Sequence, residues 1–209
     1  MIGTVSIHDR ADLLQKEKRK TLRKKSHILL ARYLADQMSA ASSLQSHRKA
    51  FCLGSILPDI RPSFITKRHE YFTTFDQSMR RLAVTTPEQS NERVYWRRFG
   101  EVIHYMADYF TFPHNKTYTG SLAQHNHYEK VLKNELKSCI QGGEACRYLQ
   151  PAIHFDTFAT LIDYIEAAHE RYLNKLRCVE EDIRFILNMC FQVIQGLVQL
   201  GTGRQYLAA

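Results

Sequence analysis

GEVIHYMADYFTFPHN, residues 100–115, sets a histidine and an aspartate four positions apart, His104 and Asp108, within a run whose apolar spacing is helical. Residues i and i+4 of a helix project from one face about one turn apart, so this imidazole and this carboxylate can share a metal ion. Pro113 ends the helix, because its ring cannot continue the hydrogen-bond ladder. His114, six residues after Asp108, follows where the chain can fold back toward the same ion.

Outward from this stretch the chain reads as helices joined by short punctuated turns, with few period-two runs of β-branched residues. Upstream, Thr86-Pro87-Glu88-Gln89 combines a cap residue, a proline at the first helical position and a glutamine three residues after the cap. It opens the long helix that reaches about Thr111. Leu22 to Met38 has helical apolar spacing through His27, Leu30, Ala31 and Leu34. Arg48 to Leu57 is a further helix stopped by Pro58, the turn LPDIRPS follows, and a helix is expected around Thr66 to Leu82. Downstream, Ser121 to Ile140 is closed by Gly142-Gly143, and two long helices run near Phe155 to Leu173 and Cys178 to Leu200. The expected fold class is all-α: a basic N-terminal arm over residues 1–25, then a single multi-helix, metal-binding catalytic domain over residues 26–209.

Composition narrows the class. The chain has 209 residues, 44% of them apolar, which is ordinary for a soluble fold. Its most apolar late stretch, Phe185 to Leu200, is interrupted by Asn188, Gln192, Gln195 and Gln199, as in an amphipathic helix. Five cysteines form no CxxC pair, which argues against a disulfide framework or a cysteine-rich zinc site and for reduced, mostly buried thiols. No charged segment followed by an apolar run opens the chain, so cytoplasm is the default expectation. Of the +8 net charge, much sits in Lys16, Lys18, Arg19, Lys20, Arg23, Lys24 and Lys25. Such a run usually solvates one helix face; its sharper reading is attraction to phosphate on an anionic membrane surface. Nucleic acid is the less favoured partner, because no aromatics interleave the cations for stacking on bases.

Ten histidines stand in an informative order. His125 and Glu129 again lie four apart on one helical face, GSILPDIRP places Asp59 in a turn, and KRHEY places His69 at the start of the next helix. Imidazole nitrogen and carboxylate oxygen suit zinc, which takes three or four such ligands and keeps a position for water. Two zinc ions joined by a carboxylate neutralise the charged oxygens of a phosphate during displacement, and phosphodiester hydrolysis is the reaction that most needs this. Each pair alone fits a salt-bridged surface pair, and His27 alone fits a core histidine. The ordered series Asp59, His69, His104, Asp108, His114, His125, Glu129 is improbable by chance.

That series resembles the zinc-dependent phospholipase C family, helical bacterial enzymes that cleave phospholipids to diacylglycerol and a phosphorylated head group. The family pattern of HYxxD, a later histidine after a proline, and HxxxE is matched by His104-Tyr105, Asp108, Pro113, His114, His125 and Glu129. Its upstream Asp, following His and early helical histidine are matched by Asp59, His69 and His27. The resemblance implies the helical fold that this family shares with the P1-type nucleases, and two or three zinc ions. It implies that Asp59, His69, His104 and Asp108 hold one zinc and that His114, His125 and Glu129 hold a second. Asp108 would reach toward a third bound by His27. Asp59, or a hydroxide on the metal, would be the base that prepares the attacking water. The implied substrate is a phospholipid or another phosphodiester. Family members begin with a tryptophan that completes the third site, whereas the one tryptophan here is Trp96, inside a helix. His8 or Asp9 of the arm are the substitutes available to that site.

Three other readings compete. Related helical zinc nucleases usually close the pattern with HxxxD, and Glu129 tips the balance toward the lipase. Two ExxH motifs, Glu101/His104 and Glu166/His169, together with Glu70 and Glu135, could mimic a ferritin-like di-iron bundle, but leave the other ligands without a role. A non-catalytic module, stabilised by metal and docking through the arm on membrane or nucleic acid, is the third. Off the pattern, His127 faces away from His125, and His47, His154 and His169 have no partner motif. Tyr71, Phe72, Tyr105 and Tyr118 are candidates for a head-group pocket, though aromatics at helical spacing more often fill a core.

Overall fold

A computed structural model describes residues 24–38, 43–61, 71, 74–75 and 91–207, with side chains up to residue 201. Every regular element among the described residues is helical. In chain order these are α1 (24–36), α2 (Ser43–Ser46), α3 (Arg48–Gly54), α4 (Leu57–Ile60) and α5 (Glu92–Tyr109). A 3-10 turn (Phe112–His114), α6 (Leu122–Gln141), a second 3-10 turn (Glu144–Tyr148), α7 (Phe158–Leu173) and α8 (Val179–Leu207) complete the order.

The long helix α5 starts later than its sequence signals suggest. Asn91, extended at ψ 130, is the N-cap, and its side chain accepts from the Arg93 amide at 2.9 Å. The Thr86–Gln89 signature therefore does not open α5, and it lies outside the described residues, as does the expected helix 66–82 apart from Tyr71, Thr74 and Phe75, which are helical. Pro58 does not stop α3 either. α3 ends at Gly54, and Pro58 sits in the first turn of α4, where its missing N–H costs nothing. Asp59, expected in a turn, thus lies within one turn of helix.

Capping boxes fix two later starts: Ser121 with Gln124 for α6, and Thr157 with Thr160 for α7. The second places the start of α7 at Phe158, so Phe155 precedes the helix. Gly143, at φ 78, ends the α6 turn in the left-handed region that glycine enters without strain.

The stretch Val179–Gly201 is long and apolar enough to cross a membrane by length and composition, yet here it is a core helix. Its Ile183, Ile186, Leu187, Cys190, Val193, Ile194 and Leu197 are buried, against α5, α6 and α7. α1 buries Leu30, Ala31, Leu34 and Ala35 on one stripe, as its spacing requires. The cysteines are free, but only Cys190 is fully buried and Cys146, on the second 3-10 turn, is exposed, which corrects the expectation of mostly buried thiols.

Helices α3 and α5 pack backbone against backbone. A Cβ on Gly54 would lie 1.9 Å from the Arg97 carbonyl oxygen, and one on Gly100 would lie 2.1 Å from that of Phe51. The two backbones meet because neither residue has a side chain. On an open helix face, glycine to alanine gains roughly 1 kcal/mol of helix propensity. At this crossing the added carbon strikes backbone, so Gly100→Ala is expected to destabilise the protein by about 1–3 kcal/mol in urea unfolding. A gain in stability would show that the helices can part without cost.

Candidate metal centre

The glycine contact positions the first group of candidate ligands. Gly100 and His104 lie one turn apart on α5, and Ser55 directly follows Gly54. The Ser55 carbonyl accepts from His104 Nδ1 at 2.9 Å, and the Ser55 hydroxyl donates to the carbonyls of His27 at 3.3 Å and Cys52 at 2.8 Å. One serine thereby ties α1 to α5. With Nδ1 committed to a carbonyl, His104 presents Nε2 as its lone-pair nitrogen, the arrangement that orients metal-binding histidines. His104 Nε2 lies 3.3 Å from Asp108 Oδ2, and His27 Nε2 lies 3.4 Å from Asp108 Oδ1. The two imidazole rings are 4.0 Å apart. Asp59 Oδ1 approaches His104 Nε2 at 3.9 Å. Its Oδ2 is buried with no hydrogen-bond partner among the described residues, an orphan that a cation, or water held by one, would satisfy.

The second group is His114, His125 and Glu129. Glu129 Oε1 lies 2.7 Å from His125 Nε2 and 3.2 Å from His114 Nε2. His114 also links the groups, with Nδ1 3.9 Å from Asp108 Oδ2. In each group the candidate ligand atoms lie within 4.8 Å of one another. Zinc bonds of roughly 2.0–2.1 Å imply ligand-to-ligand edges of roughly 3.3–3.5 Å in a tetrahedron; His104–Asp108 at 3.3 Å and His27–Asp108 at 3.4 Å fall there, and His114–Glu129 at 3.2 Å lies just below. His27, Asp59, Asp108, His114 and Glu129 all line one cavity of about 50 Å³. Borderline nitrogen and hard oxygen donors around a small polar space fit zinc.

Residues absent from the sequence motif hold the second group in place. Asp182, fully buried in α8, accepts from the Phe112 amide at 2.9 Å, Tyr128 hydroxyl at 2.9 Å and Tyr172 hydroxyl at 2.7 Å. It thus ties the His114 turn to α6 and α7. Burial holds its carboxyl up at about 6, against those hydrogen bonds. Asn115 donates to the carbonyls of Tyr109 at 3.2 Å and Thr111 at 2.9 Å, closing the end of α5, and pairs with His169 Nε2 at 2.9 Å. Tyr71 stacks on His169 with centroids 3.8 Å apart. His169 is therefore a core histidine, pushed down to about 4 by burial. The Asx, Tyr and buried-Asp roles carry no short motif, so only the fold exposes them.

The remaining candidates divide clearly. His69, Glu70, Phe72, His8 and Asp9 lie outside the described residues. His127 is exposed, as its angle on α6 requires. His47 pairs with Glu92 and His154 with Asp156 near the surface. The di-iron reading fails on geometry: Glu101 is bound by both terminal nitrogens of Arg61 at 2.7 Å, Glu166 is exposed, and His169 is engaged by Asn115.

Electrostatics fit a cation site. Burial disfavours charge on His104, but Asp108 and Asp59 overcome it and hold the imidazole up at about 9. His27 is pushed down by burial and by the neighbouring His104 charge. Asp108, despite burial, is held well below the usual carboxylate range by His114 and His104. In the metal-free protein the charged His104 contributes stability fully below its ordinary 6.5, and this is lost as pH rises through about 9. A zinc ion held by His104 through Nε2 would have to displace that proton. Apparent zinc affinity in titration calorimetry is therefore expected to rise up to about tenfold per pH unit between pH 6.5 and 8, with proton release visible as a buffer-dependent heat. A pH-independent affinity would contradict this assignment.

No curated protein and no solved structure matches the chain. A family model, zinc dependent phospholipase C, matches residues 26–179, which include α1 from Ser26 onward and all seven described ligand candidates. Helical architecture, grouped His and carboxylate donors and this match agree: the chain belongs to the zinc-dependent phospholipase C family, whose members hydrolyse phospholipids.

Proposed function

We propose that the protein hydrolyses the phosphodiester bond of a phospholipid on the glycerol side of phosphorus, releasing diacylglycerol and a phosphorylated head group. The observation that carries this reading is the convergence of Asp59, Asp108, His27, His114 and Glu129 on one small cavity inside a chain of this family. His27, His104 and Asp108 are the proposed ligands of one zinc, with His69 the further candidate beside Asp59. His114, His125 and Glu129 are the proposed ligands of another. Zinc held there supplies positive charge that neutralises the phosphate oxygens and acidifies the attacking water.

The chain's own residues do the positioning. Ser55 fixes the His104 tautomer, so that Nε2 faces the carboxylates. Asp108 presents one oxygen to His27 and the other to His104, which keeps the imidazoles in register. Asp59, on the turn of α4, keeps Oδ2 free to take the proton from water that attacks phosphorus. Its oxygen must lie within hydrogen-bond reach of that water, and the cavity it lines has room for water.

Diacylglycerol release from phospholipid, run in isotopically labelled water, tests the reading, with the label expected in the phosphorylated head group. Asp59→Asn is expected to lower kcat by about 10²–10⁴. Asp108→Asn is expected to lose zinc and activity together. Label in the glyceride, or an unchanged kcat for Asp59→Asn, would contradict the proposed chemistry.

A further inference from the structure

Leu176 and Leu122 are the most exposed large hydrophobics among the described residues, at 77% and 62%. They are distant in sequence, but a chain of contacts joins them. The Arg177 guanidinium lies over the Phe112 ring at 5.3 Å, and Phe112 meets the Tyr118 ring edge-on at 5.2 Å. The Tyr118 hydroxyl donates to the Ser121 carbonyl at 3.3 Å, immediately before Leu122. The two leucines thus adjoin, in sequence, the two ends of this chain of contacts. An open groove of about 630 Å³ runs along it, lined by Phe112, Tyr118, Gln124, His127 and Tyr128. Tyr118 is also the wall toward the metal centre, its ring 5.9 Å from that of His125.

Exposed cations stand beside Leu176: Lys175 and Arg177 bracket it and Arg171 lies in the last turn of α7, with Glu170 and Glu180 at the two ends of this stretch. A single exposed leucine is unremarkable on any protein. Two linked through amphipathic aromatics, with cations beside one of them, match the boundary between lipid head groups and acyl chains. We propose that this face seats on an anionic phospholipid bilayer. Leu122, Leu176 and the Phe112–Tyr118 edge enter the boundary, and the exposed Lys175 and Arg177 side chains meet lipid phosphates. The placement rests on the phospholipid reading of the neighbouring centre, and it presents that centre to substrate without removing lipid far from the membrane. Binding is measured with hydrolysis stopped, so failure of the surface and failure of the chemistry are separate results.

The test is co-sedimentation of the full chain, with chelator present, on phosphatidylcholine vesicles with and without phosphatidylglycerol. Binding is expected to require the anionic lipid and to weaken with salt. Leu122→Asp and Leu176→Asp are each expected to reduce it by at least about tenfold. Lys175→Glu with Arg177→Glu is expected to reduce it by more than about tenfold. Leu53→Asp, at an exposed leucine outside this face, should leave it unchanged, and circular dichroism should be native for all variants. The proposal is overturned if anionic vesicles do not bind the protein. It is equally overturned if only replacing Lys16, Lys18, Arg19 and Lys20 by Gln abolishes binding, or if an oligonucleotide binds with the same dependence on both leucines.

Discussion

The contact of Gly54 with Gly100 is the constraint on which the centre depends. Two helix backbones that close could not approach with any side chain between them, and their approach sets Ser55 against His104. From that one point the geometry propagates in both directions. Ser55 reaches back to the His27 carbonyl on α1, and α4 carries Asp59 one turn further on. Hydrophobic burial drives the bundle together but is indifferent to register within a fraction of an ångström. The glycine pair and the serine supply the register that a group of ligand atoms needs.

The second group is secured differently. His114 sits just past the end of α5, on a short 3-10 turn that by itself would hold nothing in place. Asp182, Asn115 and His169 convert that turn into a fixed element through hydrogen bonds from three helices and the turn's own backbone. A buried carboxylate is tolerable only when its lone pairs are used, and three donors use those of Asp182. The polar centre thus sits inside an apolar bundle because a polar network supports it. Asp108, shared by His27, His104 and His114, joins the two groups electrostatically.

Much of this was legible in the sequence, because helical periodicity turns spacing into direction. His104 with Asp108 and His125 with Glu129 are four apart, and each pair meets on one face. Gly142-Gly143 ends α6 by local chemistry that tertiary contacts do not override, whereas α5 ends at Tyr109 and Pro113 lies in the 3-10 turn beyond it. Local signals were ambiguous where two caps compete. Thr86-Pro87 resembles a helix start, yet Asn91 caps α5, and Pro58 resembles a stop, yet it opens α4. The supports Ser55, Asn115, Tyr128 and Asp182 were not legible at all. Their partners are distant in sequence, as with the 70 residues between Phe112 and Asp182, and no short pattern encodes a contact across that separation.

The central claim is that two groups of ligands around one cavity hold zinc. Anomalous scattering at the zinc edge from crystals of the zinc-loaded protein measures it directly. The account predicts one peak about 2.0–2.2 Å from ligand atoms of His27, His104 and Asp108, and another at the same range from His114, His125 and Glu129. Peaks confined to surface pairs such as His154 with Asp156, with none in the cavity, would contradict it.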